Sequence, residues 1–424
     1  MTLDMRKPEY WDDKGLDKEL RRIFDICHGC RRCFNLCPSF DELFKAIDSK
    51  GEDVANMGQK DLRLVEDLCY QCKLCYNHCP YTPPHRFAID FPRLMLRGKL
   101  IHVKTEGIPL RDRLMGNTDG LGKLGVATAP LANIGNHIPA QRWVMEKTLR
   151  IHREAPLPDF ARQSFSAWFK SRKRSLSAPD AVNGKVALFY TCFVNYYDPD
   201  VAKAAVRVLE RSKVEVVVPE QRCCGMPYMD SGDIQSARRN AEANLKVLAP
   251  LARQGVPIVA PGPTCSLTLK QEYPHLTDSP EAKLVAQNTF DLSEYLMKLH
   301  KDGKLDTRFA RGAGKVNYHA PCHLRAQNIG YKSRDLMQLL PDTTVNVVER
   351  CSGHDGAWGM KEQYFKLSLQ VGQPLFDGMR EGAPDAVVSD CPLACMQIAH
   401  VTGRRPVHPI QVVAAAYGPP DKET

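Results

Sequence analysis

Long hydrophobic runs are missing from this sequence. Its longest apolar region, Leu121 to Ile138, is interrupted by Pro130 and several glycines. No segment therefore offers the roughly 18 to 20 apolar residues that a bilayer-spanning helix needs. The opening MTLDMRKPEYWDDKG is charged and lacks the apolar stretch of a signal peptide, so no export route is expected and the chain is placed in the cytoplasm. Basic residues are not interleaved with aromatics as along a nucleic-acid-binding face, and no nucleic-acid partner is expected. A dinucleotide fingerprint is also lacking. Gly120-Leu-Gly122-Lys-Leu-Gly125 has GxGxxG spacing, but no predicted strand precedes it, and the spacing reads as coincidence.

Cysteine is too thin for a secreted disulfide scaffold, with 16 in 424 residues, and it is grouped rather than scattered. Grouping of that kind points to metal in a reducing compartment. The first two groups are Cys27-His-Gly-Cys30-Arg-Arg-Cys33-Phe-Asn-Leu-Cys37-Pro38 and Cys69-Tyr-Gln-Cys72-Lys-Leu-Cys75-Tyr-Asn-His-Cys79-Pro80. Both read C-x2-C-x2-C-x3-C-P, the run in which three thiolates hold one iron–sulfur cube and the fourth reaches the other. Two 4Fe-4S clusters are expected, one on Cys27, Cys30, Cys33 and Cys79, the other on Cys69, Cys72, Cys75 and Cys37. A single zinc site would use two CxxC pairs across a longer hairpin, which two compact groups of four fit poorly.

Helical patterning at Asp17–Ile26, Asp41–Ile47 and Gln59–Leu68 makes residues 1–100 a small helical ferredoxin-like domain. Residues 101–182 hold no cysteine and are rich in Pro, Gly and basic residues, with one amphipathic stretch at Gln141–His152; they read as a connector. Arg142, Lys147, Arg150, Arg153, Arg162, Lys170, Arg172, Lys173 and Arg174 form a basic run there. With Leu124, Val126, Leu131, Ile134, Trp143, Val144, Phe165, Trp168 and Phe169, the run suits either a membrane- or partner-facing surface or a buried connector.

From Gly184 onward, short β-branched runs alternate with helices: Lys185–Tyr190, Val214–Pro219, Pro257–Ala260, Lys315–Tyr318, Thr344–Val348 and Ala386–Ser389. Such alternation predicts parallel βαβ units. The half repeats with a period near 130 residues, pairing Cys192 with Cys322, Cys223 with Cys351 and Cys265 with Cys395. Each cysteine follows a predicted strand, and sites in open parallel sheets form at the strands' carboxyl ends. The fold expected is α+β and multidomain, with a helical di-cluster domain and two repeated α/β cysteine-rich domains at 183–305 and 306–424. Candidate ligands are Cys192, Cys223, Cys224 and Cys265 in the first repeat and Cys322, Cys351, Cys391 and Cys395 in the second. Zinc remains an alternative there, since four thiolates also close a tetrahedral site. His319, His323 and His354 lie beside these cysteines and are expected to hydrogen-bond rather than ligate.

These motifs, together with Lys147-Thr-Leu-Arg-Ile-His-Arg-Glu-Ala-Pro-Leu-Pro158, Cys223-Cys224-Gly225, Tyr318-His-Ala-Pro-Cys322-His323 and Ser389-Asp-Cys391, resemble the CCG-domain iron–sulfur proteins. That family includes heterodisulfide reductase subunits and the iron–sulfur subunits of glycolate or lactate oxidases. The pattern is nearest the iron–sulfur subunits of anaerobic glycerol-3-phosphate dehydrogenases. The resemblance implies electron relay from a flavoprotein dehydrogenase or other redox protein toward membrane quinone, with peripheral association on the inner face of the cell membrane. It also implies a noncubane 4Fe-4S cluster on Cys192, Cys223, Cys224 and Cys265. An alternative within the family is a heterodisulfide or thiol–disulfide reductase acting at that cluster. Three departures bear on these sites: Gly262 stands where many relatives have a cysteine, Ser352 follows Cys351, and Cys391 to Cys395 is CxxxC. They leave the second site open between a further iron–sulfur cluster and zinc.

Overall fold

The computed structural model describes residues 4–172 and 180–419. Lys173 and Arg174 of the basic run lie outside them. Two compact units form, the first essentially the chain up to Arg113 and the second the chain from Leu114, except that Tyr228–Ile234 belongs to the first.

The first unit is helical because its apolar residues recur at helical spacing and its polar residues cap. Asp12 accepts a hydrogen bond from Gly15 N at 2.8 Å and starts helix Asp13–Cys30, which buries Leu16, Leu20, Ile23 and Phe24. Arg31 ends it in the left-handed region, φ 50°. Cys37 occupies the N-cap of helix Pro38–Asp48, whose first-turn proline needs no donor. Helices Gln59–Asp67, Leu74–His78 and Phe91–Glu106 complete the unit, and Phe40 stacks on Phe91 at 4.4 Å. The cysteines thus sit at helix ends around an aromatic core.

The second unit holds two parallel sheets. In the first, β1 (Lys185–Leu188), β2 (Glu215–Val217), β3 (Ile258–Ala260) and β4 (Thr289–Asp291) lie in the order β2-β1-β3-β4. In the second, β5 (Gly314–His319), β6 (Thr343–Val348) and β7 (Ala386–Ser389) lie in the order β6-β5-β7. All six predicted strands are present and every pairing is parallel. The shared order of three strands is the repeat made visible. β4 escaped the sequence reading, since Thr289-Phe290-Asp291 is too short to show a period. One hydrophobic cluster takes in Val186, Leu188, Val259, Val316, Tyr318 and Val388, so the two sheets share a core. Helix Pro199–Arg211 buries the stripe Val201, Ala204, Ala205, Val208 and Leu209, and Asp198 before it makes no capping bond but accepts from Arg405 at 3.4 Å.

The connector differs from expectation. It is largely helical, with Thr118–Ala127, Ala129–His137, Pro139–Leu149 and Phe165–Ser171. Pro130 and Pro139 stand in first turns, where proline starts a helix rather than breaking one. Among the described residues no helix is long and apolar enough to cross a membrane.

Asp291 closes β4 and caps helix Leu292–Lys301, accepting from Ser293 N at 3.1 Å. Burial first, and the nearby Asp390 carboxylate second, hold its carboxyl well above the usual carboxylate range. The native state therefore keeps a proton that the unfolded chain releases, so this contribution is full below about pH 4 and is lost as pH rises toward the folded value. Asp291→Asn is expected to flatten the fall in melting temperature between pH 5 and 8; an unchanged slope would remove Asp291 as its source.

Candidate metal centres

Helix ends bring the N-terminal thiols into two groups. Cys27, Cys30 and Cys33 gather with Cys79, and these four line one cavity with Ile26, Phe40, Phe44 and Ile89. Cys37 instead lies with Cys69 and Cys72, and Cys75 stands beside the same three. The last cysteine of each run has therefore crossed to the other. The crossing has a local cause: positive φ at Arg31 and Asn35, and at Gln71 and Lys73, curls each run tightly, and Cys37 is turned away as the next helix begins.

Burial raises Cys27, Cys33, Cys37 and Cys75, and the neighbouring thiolates raise these further: Cys33 reaches about 11, Cys27 goes higher, and Cys37 and Cys75 stand well above the ordinary value. Four crowded, desolvated thiols give up their protons when a cation takes their place, which is what a cluster's iron provides. Donors are in position as well. Gln71 Nε2 donates to Cys69 Sγ at 3.5 Å and is held by Pro92 O at 3.0 Å, while Tyr81 N donates to Cys79 Sγ at 3.4 Å. The donor set and its apolar walls fit iron–sulfur clusters.

In the second unit Cys192, Cys223 and Cys265 follow the carboxyl ends of β1, β2 and β3. Cys265 Sγ lies 3.4 Å from Cys224 Sγ, Cys223 interacts with both Cys192 and Cys224, and all but Cys192 are buried as residues. The structure thus brings together the four predicted in the first repeat. Mutual hydrogen bonding splits them: Cys223, receiving bonds from Cys192 and Cys224, is held well below the ordinary thiol value, and those two are held well above it. Gly225 has φ +99°, and a Cβ there would meet Ala237 O at 3.2 Å, so the loop needs glycine.

Three features of this site were not found from sequence. Asn240 and Asn244, one turn apart, clamp the loop: Asn244 accepts from Arg222 N at 2.8 Å, and Asn240 donates to Cys223 O at 3.2 Å. Their signal is two asparagines at i and i+4 on an alanine-rich face. Thr191, just before Cys192, has φ 64° and ψ 153°, a region costly for a β-branched residue. Asp119 accepts from Cys223 N at 2.7 Å. Gly262 is the N-cap of helix Pro263–Leu267, and a Cβ there would meet the Thr191 methyl at 3.2 Å.

The second repeat is more open. Cys391 is the N-cap of helix Pro392–Thr402 and Cys395 lies one turn on, so the CxxxC spacing puts both beside each other. Burial raises both thiols. Cys322 opens helix Cys322–Arg325, and Cys351 is exposed, its sulfur accepting from Gly353 N at 3.3 Å. His319 bonds Ser389 Oγ at 2.9 Å and Arg350 O at 3.2 Å, and His323 bonds Thr264 Oγ1 at 2.9 Å, as expected. His354 differs: it is buried, and neither ring nitrogen has a partner of ordinary geometry among the described residues.

Residues 20–102 match the citrate utilization protein B Fer4-like domain, and residues 186–270 and 316–399 each match the cysteine-rich domain, CCG. The chain is 29% identical to one of the subunits of anaerobic glycerol-3-phosphate dehydrogenase of Escherichia coli (strain K12), over 72% of this chain and 77% of that protein. It is 31% identical to lactate utilization protein A of Bacillus cytotoxicus over 49% of this chain and 87% of that protein. One of the subunits of fumarate reductase (CoM/CoB) of Methanothermobacter marburgensis is 30% identical, over 50% of this chain and 41% of that protein. With a Fer4-like domain, a duplicated cysteine-rich domain and an iron–sulfur redox role, the chain belongs to the CCG-domain iron–sulfur proteins.

Proposed function

We propose that this protein is the electron-transfer subunit of an oxidoreductase complex, relaying electrons between a flavoprotein dehydrogenase of the glycerol-3-phosphate type and membrane quinone. Two observations carry the reading: the crossed grouping of the eight N-terminal thiols, and a separate group of four in the first cysteine-rich repeat. Clusters bound there supply one-electron storage and transfer. Cys27, Cys30, Cys33 and Cys79 would hold one 4Fe-4S cluster, and Cys37, Cys69, Cys72 and Cys75 the other. Cys192, Cys223, Cys224 and Cys265 would hold a third, noncubane cluster. Cys322, Cys351, Cys391 and Cys395 would hold a further cluster or zinc.

The protein's own work is to exclude water and to aim donors at sulfur. Phe40, Phe44 and Ile89 wall the first thiol group, and Gln71 and the Tyr81 amide offer hydrogen bonds that favour the reduced, more negative state. The domain division proposed is 1–100, 101–182, 183–305 and 306–424. The 101–182 segment is proposed to face the inner surface of the cell membrane or a partner, because Leu124, Leu131, Ile134 and Trp143 are exposed on its successive helices.

Anaerobic iron and sulfide analysis with EPR tests the reading. At least about eight irons per chain are expected, four for each cubane; fewer would end the two-cubane assignment. Flotation with anionic liposomes at low salt tests the exposed face, and absence of the protein from the lipid fraction would remove the membrane arm.

A further inference from the structure

Helix Thr118–Ala127 contains the GxGxxG spacing that no nucleotide site explains. Its glycines have another use. Gly120 N donates to Asn117 Oδ1 at 3.2 Å, fixing the first turn. A Cβ on Gly122 would lie 2.3 Å from the Tyr196 ring, and one on Gly125 would lie 2.0 Å from the Phe160 ring. Tyr196 is buried and ends the helix that Cys192 begins. Only a side-chain-free face lets the glycine helix approach that closely.

The approach carries two polar side chains to the first cysteine-rich site. Asp119 Oδ2 accepts from Cys223 N at 2.7 Å, across 104 residues of sequence. The buried Thr118 hydroxyl has no hydrogen-bond partner of ordinary geometry among the described residues, and the groups it faces are the sulfurs of Cys192 and Cys223. A hydroxyl so placed among four thiols has only weak acceptors while the sulfurs are neutral, and gains a strong one when they carry charge, as they do on iron.

We infer that the connector helix is part of the first cysteine-rich centre, with Thr118 and Asp119 as positioning residues: the Thr118 hydroxyl donates to a metal-bound thiolate, and the Asp119 carboxylate fixes the Cys223 backbone. This rests on the reading of Cys192, Cys223, Cys224 and Cys265 as a cluster site. Hydrogen bonds to sulfur favour the more negative reduced state and raise its reduction potential.

The test is potentiometric EPR with iron analysis on the full chain purified anaerobically, the urea midpoint of the second unit serving as the folding control. Thr118→Val is expected to move the midpoint of the cysteine-rich site to more negative potential with iron unchanged, and Thr118→Ser to restore it. Asp119→Ala is expected to lose that site's signal, and Asp119→Asn, which keeps an acceptor for Cys223 N, to retain it. An unmoved midpoint in Thr118→Val overturns the role of the hydroxyl, and a full signal in Asp119→Ala overturns that of the carboxylate. Cys223→Ser separates the two levels. If it leaves the signal intact, the cluster-site reading fails and this inference with it; if it abolishes the signal while the helix variants leave it unaltered, only this inference fails.

Discussion

Replacing Cys79 with alanine is expected to remove about four irons per chain and erase the signal built on Cys27, Cys30 and Cys33, while the signal of its own run survives. A C-x2-C-x2-C run reaches three irons, and the remaining iron needs a thiolate from elsewhere. Cys79 stands in the cavity of the first run, not the second. Cys37→Ala should give the mirror result, because Cys37 lies with Cys69 and Cys72. The effect is large because loss of one ligand leaves three desolvated thiols without their compensating cation, and metal binding there is also folding free energy. Iron and sulfide content with EPR of the reduced protein reads both variants. If Cys79→Ala instead removes the cluster of Cys69, Cys72 and Cys75, the crossed arrangement is wrong.

Much of this was legible because the information is local. Cysteine spacing displays the two runs, and β-branched blocks at Lys185, Thr344 and Ala386 display strands whose parallel pairing follows from the helices between them. The glycine of Cys223-Cys224-Gly225 announces a close backbone approach. What stayed hidden is contact between residues far apart in sequence. Nothing near Asp119 says that its carboxylate will meet Cys223 N, and nothing near His354 says that its ring will be buried. The connector's further helices were not legible for a physical reason: proline and glycine usually interrupt helices, yet here proline fills first turns and glycine clears helix faces for Tyr196 and Phe160. Both uses depend on what packs alongside, which composition does not encode.

Gly353→Ala is expected to destabilise the second unit by about 2–5 kcal/mol, summing left-handed strain of about 1–2 kcal/mol and overpacking of about 1–3 kcal/mol. Gly353 has φ +71°, and a Cβ there would sit 2.0 Å from Ser368 O. That obstacle is the backbone of helix Phe365–Arg380, which has no rotamer by which to move aside. Glycine also faces back from the helix: a Cβ on Gly372 would lie 2.7 Å from Ser352 O. Loop and helix therefore meet backbone to backbone, and Gln397 fastens the contact by donating to Ser352 O and Ser368 Oγ, each at 3.2 Å. The second repeat has exchanged a cysteine for Ser352 but still needs the glycine after it, since the turn is set by packing and not by the ligand. Gly225 makes the looser version of this contact, its Cβ meeting Ala237 O at 3.2 Å, so Gly225→Ala should cost only the strain, about 1–2 kcal/mol. Urea midpoints of the two variants at constant m-value measure the order. A Gly353→Ala loss no greater than that of Gly225→Ala would show that helix Phe365–Arg380 yields, and that the repeat tolerates a side chain where the backbones now touch.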